Sequence, residues 1–236
     1  MKKDFLSIVA ILLALVGIAL GAMSNFGREG EVANALNKNP AMIVEALQKY
    51  EDQARQQQLE AAKASIKDSL PAINNDPASP FVGPENAKVV LALFYDYSCG
   101  YCHRLYPVLQ DVMASNPDVK FVFKPLSFLG PISNYAAKAV IAANEQGKFI
   151  EFNNALFANE GQLSEAKVDE IAVKSGLDLE QLKAAMDSEK TSQALNGISQ
   201  LASKIQIGGV PTMVLDGGIL QTFSADEIQS AINAAK

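Results

Sequence analysis

Residues 88–113 read KVVLALFYDYSCGYCHRLYPVLQDVM, and the change of pattern within them decides the architecture. Lys88 to Tyr95 is a short, nearly continuous apolar run, the signature of a strand buried on both faces. After Asp96 to Ser98 the period changes, and Cys102, Leu105, Leu109 and Val112 or Met113 recur at helical spacing. A strand that turns into a helix here puts Cys99 at the helix N-terminus and Cys102 one turn deeper, toward the core. Backbone N–H groups and the helix dipole at that end favour a thiolate over a thiol. The spacing therefore predicts two unlike sulfurs: an exposed Cys99 that can attack or be attacked, and a shielded Cys102 that can resolve a mixed disulfide.

These are the only cysteines among 236 residues, which also hold a single His and no Trp. That scarcity excludes a disulfide-rich scaffold, a four-ligand Cys/His zinc site and a Ser-His triad elsewhere in the chain. Apolar residues at 49% and charged residues at 19% supply a real core. A net charge of −6, with no basic run longer than Lys2-Lys3, argues against nucleic acid as a partner. No metal and no cofactor is expected. Because His103 follows Cys102, the string is also C-x-x-C-H, the attachment motif of c-type haem. An inert pair of thiols is a further alternative. Gly100 and Tyr101 lie between the sulfurs and modulate them on the exchange reading. His103 is either a helix-surface residue or, when protonated, a stabiliser of the thiolate.

Upstream, Met1-Lys2-Lys3-Asp4 precedes the charge-free apolar run Phe5 to Met23. This reads as an export segment over 1–23, a cleaved signal peptide or a retained anchor, placing the rest in the periplasm or holding it at the inner membrane. An oxidising compartment lets disulfides persist. A pair three residues apart closes too short a loop to staple a fold. Asn39 caps and Pro40 starts a long helical pattern over Pro40 to Leu70, in which Ile43, Leu47, Tyr50 and Ala54, then Leu59, Ala62, Ile66 and Leu70 recur. At 1.5 Å per residue such a helix is about 46 Å long, and its narrow apolar stripe calls for a partner. Residues 24–75 are accordingly expected to be a spacer or a homo-oligomerisation segment, with self-association through 31–70. Breakers from Pro71 to Pro80 set the boundary of a domain over 76–236.

Within that domain Val119 to Phe123 reads as a second strand, Ser133 to Ile205 as mostly helical with a break at Ser175-Gly176, and Thr212 to Leu215 and Ile219 to Thr222 as a hairpin. A last helix follows, capped by Ser224 with Glu227 in the capping-box position. Gly208-Gly209-Val210-Pro211-Thr212 opens the hairpin, and on base rates its proline is trans, since only about 5% of X-Pro bonds are cis.

CGYCHRLYP after a strand, with GGVPT opening a later hairpin, resembles the exported thiol-disulfide oxidoreductases of thioredoxin fold, specifically the DsbA-like family. The resemblance covers about Phe81 to Lys236 and extends to Phe121 to Lys124 and Gln146 to Phe149. It implies an α/β thioredoxin fold with a helical insertion over about 131–205, preceded here by a long N-terminal helix. It implies that Cys99 is the nucleophile, Cys102 the resolving thiol and Pro211 a cis-proline beside them, with extended substrate segments bound along Val210, Pro211 and Thr212. The implied partners are exported proteins with thiols or disulfides and a membrane redox partner, DsbB-like or DsbD-like. Gly100-Tyr101, and the run through His103 to Leu105, look more like the dimeric isomerases of the DsbC type, whereas Val210 before Pro211 is the DsbA-like choice. The N-terminal helix is similar to extensions through which some members dimerise or trimerise. The implied couple is fairly oxidising, roughly −120 to −230 mV. Many relatives carry an acidic residue six positions before the first cysteine; Leu93 stands there, and Asp96 substitutes only if it points toward the site. A redox-inert surface or adaptor module of the same fold is the reading from a different functional class.

Overall fold

The computed structural model describes residue 38 and residues 41–220 and 222–236. The expected export segment over 1–23, the start of the extension and the expected helix start at Asn39-Pro40 lie outside the described residues. The chain divides into two units, Met1–Leu59 and Glu60–Lys236. Helix α1 spans Ala41–Asp68. In its first-unit part, Val44 and Tyr50 are exposed. Among the described residues no helix is long and apolar enough to cross a membrane.

The second unit is a mixed sheet clothed by helices. After α2 (Leu70–Asn74) come β1 (Phe81–Val82), β2 (Val90–Tyr95), α3 (Gly100–Ser115) and β3 (Lys120–Pro125). The helices α4 (Pro131–Ala143), α5 (Phe149–Phe157), α6 (Glu165–Lys174), α7 (Leu179–Met186) and α8 (Glu189–Lys204) follow, then β4 (Thr212–Leu215), β5 (Gly218–Leu220) and α9 (Ala225–Ala235). The strand order is β1-β3-β2-β4-β5. Strands β2 and β3 are parallel, joined through α3, and β1, β4 and β5 each pair antiparallel to their neighbours. Strand β1 is too short to show a sequence period. It pairs where Gly83, at φ +98°, brings its backbone so close to the Val119 carbonyl that a Cβ would collide with it.

The run that reads as apolar on both sides is so in space. Leu91, Leu93 and Tyr95 face one core with Leu105 and Leu109 of α3 and Ile228 and Ile232 of α9. Ala92 and Phe94 face a second core with Ile198, Leu201 and Ile205. Successive side chains of a strand point to opposite faces, so a central strand between two helical layers has no polar side. Helix α4 contributes to both cores, with Ala136, Ala139 and Val140 in the first and Ala137 and Ile141 in the second.

The second core also takes in Ile66 and Ile73, ahead of the expected domain start at residue 76. Pro71 does not end helix here; it occupies the first turn of α2, where a missing N–H is harmless. This packing is held by Lys124 of β3, whose buried ammonium donates to the Ala72 carbonyl at 2.9 Å and pairs with Asp76 at 3.0 Å. A buried lysine is tolerated only with such partners. At Asp76, burial works to raise the carboxyl pKa, but the Ser79 hydroxyl, the Lys124 charge and the Ala78 N–H together hold it below 3.8.

A folded pKa below the unfolded value means that the contribution is complete above the unfolded pKa and is lost as pH falls through the folded one, here below 3.8. Asp76→Asn, which leaves a buried ammonium with one carbonyl, is expected to lower stability by about 2 to 3 kcal/mol in urea unfolding at pH 7. The difference between variant and wild type should shrink at pH 3.

Candidate active site

The first four residues after β2 make the site. Asp96 to Cys99 form a turn closed by the Cys99 N–H on the Asp96 carbonyl at 3.1 Å, and an Asx hydrogen bond from the Ser98 N–H to Asp96 Oδ1 at 2.8 Å tightens it. Cys99 then stands as the N-cap of α3 with extended backbone, and its own carbonyl accepts the first helical bond, from the His103 N–H at 3.1 Å. Both cysteines are free thiols.

Cys102 is on the core face of α3 at 2% exposure, as the spacing predicts, but Cys99 is also largely covered, at 7%. The cover comes from the segment before β4. Cys99 Sγ lies 3.4 Å from the Val210 carbonyl, and the Val210–Pro211 peptide is cis. Val210, Pro211 and Thr212 are half-buried around this contact, with the Thr212 hydroxyl donating to the Gly209 carbonyl at 2.8 Å. Cys99 is therefore a largely covered sulfur against a carbonyl edge rather than an open surface thiol. Burial pushes the Cys102 thiol well above its ordinary pKa of 9.0; the Asp96 backbone N–H opposes this and the neighbouring Cys99 adds to it. The asymmetry of the two thiols thus rests on environment, one at a helix start against a carbonyl edge, the other desolvated.

Gly100 is exposed beside Cys99. Tyr101 is also exposed; the Arg104 guanidinium lies 4.3 Å from its ring centroid, and the Phe223 ring is 6.1 Å away. His103 is half-buried and bridges two carbonyl oxygens, with Nδ1 3.0 Å from Phe157 O and Nε2 2.8 Å from Tyr97 O. Its polar contacts thus tie the active-site turn to the end of α5. Haem attachment needs both thiols and the imidazole presented together; here Cys102 is buried and both ring nitrogens are engaged with backbone.

Three features had only weak local signals. Asp96 and Ser133, both buried, and the exposed Ser98 form a polar cluster, with the Ser133 hydroxyl 2.7 Å from Asp96 Oδ1. The turn pattern Asp-x-Ser announces only the local part of it. Behind the sulfurs, Tyr95, Tyr97 and Tyr106 converge on Asn153, where the Tyr95 hydroxyl donates to Oδ1 at 3.1 Å, Nδ2 donates to the Tyr106 hydroxyl, and Phe157 stacks on the Tyr106 ring at 4.0 Å. Burial holds all three phenols protonated far above pH 7. A cleft of about 480 Å³, lined by Ser98, Gly100, His103, Leu129, Ile132 and Leu163, opens beside Cys99 between the turn and the insertion.

Residues 90–233 match the DSBA-like thioredoxin domain. The chain belongs to that family. The DSBA-like assignment spans β2 to α9 and so includes the cysteine turn, the insertion and the cis-proline segment. The fold is similar to that of a thioredoxin-like oxidoreductase from Silicibacter pomeroyi, at 32% identity over 70% of this chain and 96% of that one, with a TM-score of 0.67. It is likewise similar to BcfH of Salmonella enterica Typhimurium, at 28% identity over 90% and 96% of the two chains, with a TM-score of 0.71, and to Proteus mirabilis ScsC in a transitional conformation, at 25% identity over 91% and 97%, with a TM-score of 0.67. Among curated proteins it matches part of the Na(+)/H(+) antiporter NhaA of Herminiimonas arsenicoxydans, at 26% identity over 95% of this chain and 36% of that protein, and part of NhaA 3 of Salinispora tropica, at 27% over 57% and 21%. The chain thus spans about a fifth to a third of the length of the curated relatives it matches.

The raised pKa of the Cys102 thiol has a direct chemical readout. In the reduced, folded chain iodoacetamide at pH 8 should modify Cys99 and spare Cys102, whose raised pKa keeps it protonated there, giving one adduct per chain by mass spectrometry. Two adducts should appear in urea.

Proposed function

We propose that this chain is an exported thiol-disulfide oxidoreductase that forms or isomerises disulfides in other exported proteins through Cys99 and Cys102. The observation that carries the reading is Cys99 Sγ at 3.4 Å from the Val210 carbonyl, with Cys102 buried one turn behind it. A peptide that lies extended along Val210 to Thr212 can add to that edge by backbone hydrogen bonds and bring its own sulfur onto Cys99 without any fixed side-chain requirement. Tyr101, Gly100 and His103 border the approach.

In the oxidising direction a substrate thiolate attacks Cys99 Sγ of the Cys99–Cys102 disulfide. The Cys99–Cys102 bond breaks, and Cys102 leaves with the electron pair and takes up a proton in its desolvated position. A second substrate thiolate attacks the substrate sulfur of the mixed disulfide and releases Cys99, so the substrate loses two electrons and the pair gains them. A DsbB-like membrane partner would reoxidise the pair. In the isomerising direction the Cys99 thiolate opens a wrong disulfide and Cys102 releases stalled complexes, and a DsbD-like partner would keep the pair reduced. No cofactor takes part in either cycle.

We further propose that residues 1–23 direct export to the periplasm and that 31–70 join copies of the chain. The exposed Tyr50 and Val44 support the second point, since large apolar groups on a solvated helix favour a covering partner. Homo-oligomerisation of this kind accompanies isomerase activity in the resemblance through CGYC.

The chain should reduce insulin with dithiothreitol and refold a scrambled multi-disulfide protein, and Cys99→Ser should lower both rates by at least about 1,000-fold. Full activity in Cys99→Ser, or thiols that resist alkylation and exchange altogether, would leave a redox-inert binding module as the better reading. Sedimentation of the exported chain should give a dimer or larger species; a monomer refutes the oligomer.

A further inference from the structure

Asp96 is fully buried and directs nearly all its polar atoms to holding one turn. Its main-chain carbonyl accepts from the Cys99 N–H at 3.1 Å. Oδ1 accepts from the Ser98 N–H at 2.8 Å and from the Ser133 hydroxyl at 2.7 Å, and Oδ2 accepts from the Leu129 N–H at 3.1 Å. Ser133 is itself buried and lies 2.9 Å from Ser98 Oγ, so the two hydroxyls and the carboxylate form a closed cluster. Leu129 and Ser133 flank the start of α4, whose N-cap Gly130 offers no side chain. An aspartate that folds onto the N–H two residues ahead is ordinary turn chemistry. Here the same carboxylate also reaches a second element, and although Ser98 and Leu129 are exposed, the fully buried carboxylate carries three donors, and hydrogen bonds to a charged group are the strong ones.

The consequence falls on the sulfurs. The turn held by Asp96 ends at Cys99, and Cys102 follows one helical turn later; at Cys102 the Asp96 backbone lowers the thiol pKa while the Asp96 charge raises it. We propose that Asp96, with Ser133, is a positioning residue for the redox pair, clasping the Cys99 turn to the insertion helix α4 so that the two sulfurs stay within bonding reach.

The inference rests on the exchange reading and concerns one of its steps. In a mixed disulfide the Cys102 thiolate attacks Cys99 Sγ; the Cys99–Cys102 bond forms as the Cys99–substrate bond breaks, and the substrate sulfur leaves with the electron pair and is protonated by solvent. The advantage of this attack over the same attack by a free thiol is an effective molarity, set by how firmly the two groups are held. A looser turn lowers it without altering the sulfurs themselves.

Equilibration of the full chain in mixtures of reduced and oxidised glutathione measures that quantity, because the constant for closing the Cys99–Cys102 disulfide has units of concentration. Asp96→Asn keeps the shape but sets an amide NH₂ against one of the donors; Ser133→Ala removes one hydroxyl and leaves Asp96 in place. Each is expected to lower the constant by about tenfold, the effect of losing one hydrogen bond to a charged group, and to accumulate the Cys99–glutathione adduct. The rate of Cys99 alkylation in the reduced chain should stay within about twofold of wild type, since the attack by an external reagent does not use the pairing. An unchanged constant in folded Ser133→Ala overturns the proposal, and Ser133→Ala decides alone if Asp96→Asn does not fold. A fall in the constant with an equal fall in alkylation also overturns it, because that is general loosening. Wild-type chain that never closes the disulfide removes the exchange reading itself; wild-type exchange with unaffected variants removes only the clasp.

Discussion

The hydrogen bond from the Cys99 N–H to the Asp96 carbonyl closes the turn that converts β2 into α3, and the placement of both sulfurs follows from that closure. A helix can start at only one residue after such a turn. With Cys99 as N-cap, the three-residue step to Cys102 carries the second sulfur round to the core face. The backbone thus sets where each sulfur stands, and the surrounding segments set its environment.

What surrounds the turn explains why it can be rigid. Beneath it, β2 is central in the sheet and buried on both faces, so the strand end cannot drift. Beside it, the insertion contributes on two fronts: α4 through Ser133 and Leu129 on Asp96, and α5 through Asn153 and Phe157 on the tyrosines and His103. In front of it, the Val210 carbonyl meets Cys99 Sγ. These contacts come from segments far apart in sequence, and they make the helical insertion part of the site rather than an ornament on the fold.

Much of this was legible from residue order. The apolar run at 90–95, the switch to helical spacing through Cys102 and Leu105, the strand at Thr212 and the Ser224 cap each carry a local physical signature and lie where it puts them, whereas the second hairpin strand, expected over Ile219 to Thr222, is Gly218–Leu220. The DSBA-like family is carried by two short motifs more than 100 residues apart. What was not legible depends on contacts between distant segments. Nothing local marks Lys124 as buried, because its partners are Asp76 and the Ala72 carbonyl on another element. Pro71 reads as a breaker and in space begins a helix, because Ile66 and Ile73 on either side of it are drawn into the second core. Cys99 reads as exposed from its helix end alone, and the cover supplied by Val210 enters only with the tertiary fold. Asp96 reads as a turn former, while its second attachment, to α4, crosses more than thirty residues.

Exchange through this pair requires Cys99 to be the sulfur that meets substrates and Cys102 the one that releases them. The most direct measurement is covalent trapping in the producing cell with a Cys102→Ala variant. With the resolving thiol removed, exported proteins should accumulate as complexes joined through Cys99, dissolved by dithiothreitol and missing when Cys99 is also replaced by serine. Absence of such complexes, or complexes that persist without Cys99, would contradict it.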